Sequence, residues 1–169
     1  MSARQWRNLI DQLRSWLHEH RTAGSLVQEI MNLRNKATGN KSKSLEELVN
    51  APANDLVSRF EDKLMSLLSC SVSMKVSMVA FDGFVNFLQL EDHDEGIPCD
   101  TSTLLPVLDR IKRQSELDVS VSEMVLAAGN ITTSWTQHDM YTVIACFNYS
   151  PYVNLDEVEL LVNSLSQLL

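Results

Sequence analysis

Residues 72–90 read VSMKVSMVAFDGFVNFLQL and are the most apolar stretch of the chain. Spacings of three and four residues place one set of apolar side chains on a single helical face, namely Met74, Met78, Phe81, Val85 and Leu88. A second set lies off that face and consists of Val76, Val79, Phe84 and Phe87. Because a helix that is apolar on all sides is normally surrounded by other elements, this stretch predicts a buried central helix.

Two other structures fit part of the same stretch. Residues 71–78 alternate polar and apolar side chains, as a half-buried strand does, but no second segment of the chain shows a matching alternation. A membrane-spanning helix requires about 20 consecutive apolar residues. Since Lys75, Asp82 and Asn86 interrupt the run, we do not expect it to span a membrane. Because no partner strand is found, we do not expect it to lie in a sheet.

The composition is typical of one helical domain. Of the 169 residues, 44% are apolar and 21% are charged, which is enough apolar material for a sizeable core. Five glycines and four prolines are few for a sheet protein with many tight turns. Together with the helical periodicity, they predict an all-α fold, an irregular multi-helix bundle. The spacing of the predicted helices along the chain is also compatible with HEAT-like helix pairs. Residues 1–169 are expected to form a single domain, and the alternative is a subdivision at the acidic loop 91–102.

The formal net charge of −8 is unevenly distributed along the chain. Residues 1–50 contain eight Lys and Arg against five Asp and Glu, whereas residues 51–169 contain six against seventeen. Since neutralisation of phosphates supplies much of the affinity for nucleic acid, an acidic chain is a poor general nucleic-acid binder. The acidic part of the chain suits a partner with a basic surface.

The three cysteines indicate a reducing compartment. Cys70, Cys99 and Cys146 are odd in number and too far apart for a metal or redox motif, so reduced thiols are the expected state. The first residues form an amphipathic pattern without the apolar core of a signal peptide. Together these features predict a cytoplasmic or nuclear location.

Capping residues predict where the helices begin and end. Gly24 is expected to close a turn between two N-terminal helices, and residues 35–42 are expected to form a polar, basic loop. The predicted helix starts lie at Ser2, Ser25, Ser44, Asn54, Thr103, Ser120, Ser134 and Asn154.

Three surfaces are candidates for binding a partner. The first helix carries Trp6, Leu9, Leu13 and Trp16 on one stripe, which fits either the domain core or a groove on another protein. The last helix carries an apolar stripe that includes Leu161, Leu165 and Leu168. The loop between two helices carries the acidic side chains Glu91, Asp92, Asp94 and Glu95.

No catalytic, cofactor or metal site is predicted. The acidic loop places Ser102 where a calcium-binding loop requires Glu, and His18 and His20 diverge by about 200° on a helix. His138 and Asp139 resemble a base and its orienting carboxylate, but the sequence supplies no nucleophile beside them, and acids in a first turn normally serve the helix dipole. Phosphate-binding glycine loops and paired metal-ligand motifs are absent from the sequence.

These observations predict a protein without enzymatic activity, a helical interaction module that acts as an adaptor, scaffold or complex subunit. Its expected partner is another protein with a basic surface, or a second copy of itself. The alternative function is that of a regulatory or viral helical protein that binds nucleic acid through its basic N-terminal region. The residues that would contact phosphate are Arg4, Arg7, Arg14, Arg21, Arg34, Lys36, Lys41 and Lys43.

Overall fold

A computed structural model of the chain describes residues 2–39, 55–90, 101–128 and 136–167. Within these ranges it contains five α-helices and no strands, which confirms the predicted all-α bundle. The helices are α1 (Ala3–Gly39), α2 (Asp55–Leu90), α3 (Thr101–Ala127), α4 (Gln137–Tyr149) and α5 (Leu155–Gln167).

The central helix of the bundle is α1, which contacts the four other helices. Both of its tryptophans are buried, with Trp6 exposed by 1% and Trp16 by 0%. Its apolar stripe continues through Leu26, Val27 and Ile30, so α1 has buried side chains along most of its length. The central helix is therefore α1 rather than the helix that contains residues 72–90.

Helix α2 packs against α1 and α3 with one side only. Its largest buried apolar side chains recur every seven residues, at Phe60, Leu67, Met74, Phe81 and Leu88. A seven-residue repeat keeps side chains on one face of a helix, so the other side of α2 stays outside the core. The expectation that residues 72–90 are buried all round is wrong, because Val76 is 60% exposed and Val79 is 68% exposed.

Gly24 does not form the predicted turn, since α1 runs without interruption from Ala3 to Gly39. A Cβ atom added to Gly24 would lie 3.3 Å from Cβ of Phe147 in α4. The glycine thus allows α4 to approach α1 closely. Gly24 therefore serves helix packing, whereas the sequence predicted that it ends a helix. For the same reason Ser25 is not a helix start, and residues 35–39 of the predicted loop are helical.

The predicted helix starts differ in accuracy. Ser2 and Gln5 form a capping box for α1, and the N–H of Asp156 donates to Asn154 Oδ1 at 3.0 Å ahead of α5. Helix α3 begins at Thr101 and continues through Ser120, so the predicted starts at Thr103 and Ser120 are wrong. The cap of α4 is Thr136 rather than Ser134. Ser44 and Asn54 lie outside the described residues.

Candidate functional site

The exposed side of α2 is rich in apolar side chains. Its large apolar side chains are Met65, Leu68, Val72, Val76 and Val79, and Leu90 extends it toward the C-terminal end of the helix. Steps of three and four residues connect these positions, and a further step of four leads from Val79 to Gly83, so all of them share one helical face. We call Met65, Leu68, Val72, Val76, Val79 and Gly83 the outer face of α2.

Charged side chains flank the outer face and join α2 to its neighbours. Lys75 pairs with Glu123 of α3, and the Nζ of Lys112 lies 2.5 Å from Oδ1 of Asp82. On the other side of the helix, Lys63 pairs with Glu29 of α1. Because these pairs lie at the borders with α3 and α1, they leave the apolar surface between them without charge.

Large contiguous apolar surfaces on soluble proteins commonly mark binding sites, whereas single exposed apolar residues are ordinary. At ~1.5 Å per residue, the outer face from Met65 to Gly83 is about 27 Å long. Gly83 lies in open space, because an added Cβ would meet no atom within 4 Å. The surface therefore has the dimensions and accessibility needed to receive a second helix.

The residues predicted to bind a partner lie elsewhere. Trp6, Leu9, Leu13 and Trp16 are buried in the core, as is Leu165 of α5, so these side chains cannot form an exposed contact in this fold. Leu161 is half-buried against the core. Leu168, Glu91, Asp92, Asp94 and Glu95 lie outside the described residues.

Sequence reasoning missed the outer face because it interpreted apolar residues on every side of 72–90 as evidence of burial. The signal that separates the two sides is the seven-residue repeat from Phe60 to Leu88, which identifies the buried side. Val72, Val76 and Val79 are off that repeat and remain exposed.

Two arginines of the predicted basic surface on α1 are engaged by α5. Arg21 pairs with Glu159 at 2.8 Å, and Arg14 donates to Ser166 Oγ at 2.7 Å. Burial lowers the pKa of Arg34, and the Asp139 carboxylate partly offsets that effect. Arg4, Arg7 and Lys36 are exposed, whereas Lys41 and Lys43 lie outside the described residues.

A buried polar network connects three parts of the fold. His20 of α1 hydrogen-bonds through Nδ1 to Oδ2 of Asp118 in α3, and its Nε2 lies 2.9 Å from Oγ of Ser150 after α4. Gln114 donates from Nε2 to the second oxygen of Asp118 at 2.8 Å. His20, Asp118 and Gln114 are each at most 1% exposed. Such fully partnered polar groups fix the relative positions of the elements that carry them.

The aromatic surroundings of His20 hold its ring in place. The ring stacks on Trp16 at a centroid distance of 5.4 Å, and it lies 5.8 Å from the ring of Phe147. Ser150 has a φ of 39°, a left-handed conformation that ends α4. Its Oγ also donates to the carbonyl of Phe147 at 3.3 Å. The network therefore fixes the turn between α4 and α5, and it also fixes the position of α1 against α3.

The hydrogen-bonded series Ser150, His20 and Asp118 resembles a catalytic triad, and Ser150 lines an open cleft of about 600 Å³. Acyl transfer also needs free N–H donors around the developing oxyanion. After Ser150, Pro151 has no N–H, Tyr152 N donates to Gln114 Oε1 at 3.2 Å and Val153 N donates to Ser150 O at 3.0 Å. The hydrogen bonds around Ser150 fit a structural role, in which Ser150 holds the turn after α4 against His20 of α1, better than the role of a nucleophile.

The carboxylate of Asp139 caps the start of α4 instead of orienting the imidazole of His138. Its carboxylate accepts hydrogen bonds from the N–H and the Oγ1 of Thr136, each at 2.8 Å, and Thr136 accepts from the N–H of Asp139. These hydrogen bonds hold the pKa of Asp139 below its ordinary value of 3.8. The first-turn interpretation of this acid therefore fits its observed contacts.

The Asp139→Asn substitution is expected to lower the melting temperature at pH 7. Because the pKa of Asp139 is depressed in the folded state, its contribution is present above the unfolded-state pKa and is lost as pH falls through the folded-state value. Melting curves from pH 7 downward should show the two proteins converging in acid. In a Thr136→Ala background the Asp139→Asn effect should shrink, and an undiminished effect there would contradict the capping role.

Metal binding needs a cluster of His, Cys, Asp or Glu side chains. Within the described ranges, no group of three such side chains is arranged to hold a metal ion. Cys70 is buried, and burial together with the Glu19 carboxylate raises the pKa of its thiol to about 12. A thiol with such a pKa is a poor nucleophile near neutral pH.

Helix α2 is long and apolar enough to cross a membrane by length and composition alone, and 33% of its most apolar window is buried within the fold. Comparison of the chain with protein-family models, with curated proteins and with solved structures found no match.

Proposed function

We propose that this chain is a protein-interaction module, an adaptor, scaffold or complex subunit without catalytic activity, that binds through the outer face of α2. The observation that carries the proposal is the uncharged apolar surface from Met65 to Gly83, on a helix whose opposite side is already packed in the core. Burying such a surface against another protein is favourable by roughly 25 cal/mol per Å² of apolar area before the costs of association.

A lipid surface fits the outer face less well than a protein does. Helices that lie on membranes carry Lys and Arg beside their apolar face, which attract anionic lipids. Here the described charges beside the N-terminal end of the outer face are Glu61 and Asp62, and Lys75 is already paired with Glu123. Insertion across a bilayer would also bury the pairs of Lys63, Lys75 and Asp82 in hydrocarbon, which is costly.

Nucleic acid is a weaker candidate partner. Arg14 and Arg21 are engaged by α5, and the formal net charge is −8. The free thiols of Cys70 and Cys146 suit the reducing environment of the cytoplasm or nucleus, where we place the module.

Val79→Glu is expected to abolish partner capture without unfolding the protein. Val79 is 68% exposed, so the substitution should change the free energy of unfolding by no more than about 0.5 kcal/mol. The charge it introduces lies on the outer face between Val76 and Gly83 and must be desolvated on binding. The measurement is quantitative affinity purification of the full chain from cells, with unfolding curves recorded in parallel.

Leu160→Glu is the matched control, because Leu160 of α5 is also 68% exposed and lies on another surface. Proteins retained by wild type and by Leu160→Glu but lost from Val79→Glu would support the proposal. Identical sets of retained proteins for the two variants would contradict it.

A further inference from the structure

We infer that the partner on the outer face of α2 is a helix of another protein, about 18 residues long, that carries an apolar stripe with Lys or Arg along the side that meets α3. This inference rests on the proposed function of the outer face and names its occupant. It is carried by the acidic side chains that border the outer face on α3 and at its N-terminal end.

Helix α3 lies along one border of the outer face and runs antiparallel to α2. Lys75 of α2 pairs with Glu123 of α3. Asp82 lies two turns further along α2, yet its partner Lys112 lies earlier in α3. Glu116 comes one turn after Lys112, so it falls between the two ion pairs, beside the valines of the outer face that occupy the same interval of α2.

The α3 border carries more negative than positive charge. Asp109 and Glu116 are exposed and share a face of α3 with Lys112, at steps of three and four residues. The hydrogen bond of Lys112 to Asp82 raises the pKa of this lysine, as do the carboxylates of Glu116 and Asp109, so these acids lie near one ammonium. Among the described ion pairs, none includes Asp109 or Glu116. Both carboxylates are therefore available to a cation on a partner.

The other edges of the outer face differ from the α3 border. At the N-terminal end, Glu61 is exposed one turn before Met65. On the border opposite α3, the side chains beside the valines are small and uncharged, namely Ser69, Ser73 and Ala80. Positive charge on an occupant is thus favoured along the α3 border and at the N-terminal end, but not along the opposite border.

Charge separates the possible occupants. A second copy of this chain would bring its own net charge of −8, and anionic lipid or nucleic acid would bring phosphates, so each is repelled by Asp109 and Glu116. An uncharged apolar helix gains nothing from these carboxylates. Lys and Arg can lay their methylene groups over the valines while their charged ends reach the acids, so a basic amphipathic helix uses both features.

The shape of the outer face allows a helix to lie close to α2. Val72, Val76 and Val79 are side chains of modest size, and a Cβ added to Gly83 would meet no atom within 4 Å. Packed helices have interaxial distances of ~8–10 Å. A contact along about five turns of one helix is small, so it belongs to the weak and transient class, in which complementary charge sets specificity and association rate.

The test uses two synthetic peptides of about 18 residues as probes. Both carry leucine along one helical stripe and alanine elsewhere, and the flanks of the stripe carry lysine in one peptide and glutamate at the same positions in the other. Binding of each fluorescein-labelled peptide to the full chain is measured by fluorescence anisotropy at about 0.1 M salt, which screens distant charges. The full chain is expected to bind the lysine peptide about tenfold more tightly than the glutamate peptide.

Glu116→Lys locates the charge that selects the peptide. It should weaken binding of the lysine peptide by about threefold and strengthen binding of the glutamate peptide by a similar factor, as expected for one exposed ion pair. Asp11→Lys is the matched control, because Asp11 is an exposed acid of α1 beside Ser166 of α5 and its reversal changes the net charge equally. This control should bind both peptides within about twofold of wild type.

Val79→Gln locates the apolar contact without adding a charge that could itself attract lysine. Because the amide must be desolvated on binding, the substitution should weaken binding of the lysine peptide by about fivefold or more. Val79 is 68% exposed, so the melting temperature should stay close to that of wild type.

Four results would overturn the inference. They are equal binding of the two peptides, an effect of Glu116→Lys no larger than that of Asp11→Lys, full binding by Val79→Gln, and no saturable binding of the lysine peptide up to about 1 mM. Dimerisation of the chain, or flotation with phosphatidylcholine vesicles, would also overturn it if Val79→Gln abolished either one, since a second copy or lipid would then occupy the outer face.

The capture experiment with Val79→Glu distinguishes failure of this inference from failure of the proposed function. Proteins that are lost from Val79→Glu although the lysine peptide does not bind would leave the outer face as the binding site and remove only the basic helix. Capture that does not depend on Val79 would remove the proposed function and this inference with it.

Discussion

Replacing Trp16 with alanine is expected to lower the free energy of unfolding by about 3–5 kcal/mol, the cost of removing a large aromatic side chain from a closed core. Trp16 is 0% exposed and lies on α1, which contacts every other described helix. It also supports the ring of His20 by stacking. The cavity left by its removal would therefore reach both the apolar core and the buried polar network. Urea unfolding followed by far-UV circular dichroism measures the loss.

Trp16→Phe is the control for this prediction. Phenylalanine keeps an aromatic ring in the core and removes an indole N–H that has no hydrogen-bond partner among the described residues. The Phe variant should therefore lose much less stability than the Ala variant. A cooperative Ala variant as stable as wild type would show that Trp16 is not a core residue, in conflict with its burial.

His20→Ala is expected to cost about 3–5 kcal/mol of unfolding free energy, because it leaves the buried carboxylate of Asp118 without its histidine partner. Gln114 would still donate to the other oxygen of Asp118, but Ser150 would lose its contact with Nε2. The turn between α4 and α5 should loosen as a result. Hydrogen exchange of amides near Ser150 and urea unfolding measure the two effects.

A double-mutant cycle separates this pair from ordinary side-chain loss. Once Asp118 has been replaced by alanine, removal of His20 no longer leaves a buried carboxyl group without its partner, so the double variant should lose less than the two single losses together. The expected coupling is about 0.5–3 kcal/mol. Additive losses would indicate that His20 and Asp118 contribute independently and would contradict the tether.

Local sequence patterns predicted the presence of helices more accurately than they predicted which helices and side chains pack together. The stripe from Trp6 to Trp16 was open to two interpretations, and the structure places it in the core. Ser2 and Asn154 act as the predicted caps because capping depends on residues two or three positions away. Gly24 and Ser120 carry the same local signals but lie inside helices, because packing by residues distant in sequence outweighs weak propensities.

The sequence by itself determined that this protein is helical and which side of its first helix carries the apolar stripe, since both depend on the 3.6-residue period of one segment. Only the tertiary structure decided which side of α2 stays uncovered, because that depends on where α1 and α3 lie against it. It also decided that His20 meets Asp118 and Ser150, which are 98 and 130 residues away along the chain. No periodicity within a segment records such contacts, because they form only when separate helices pack together.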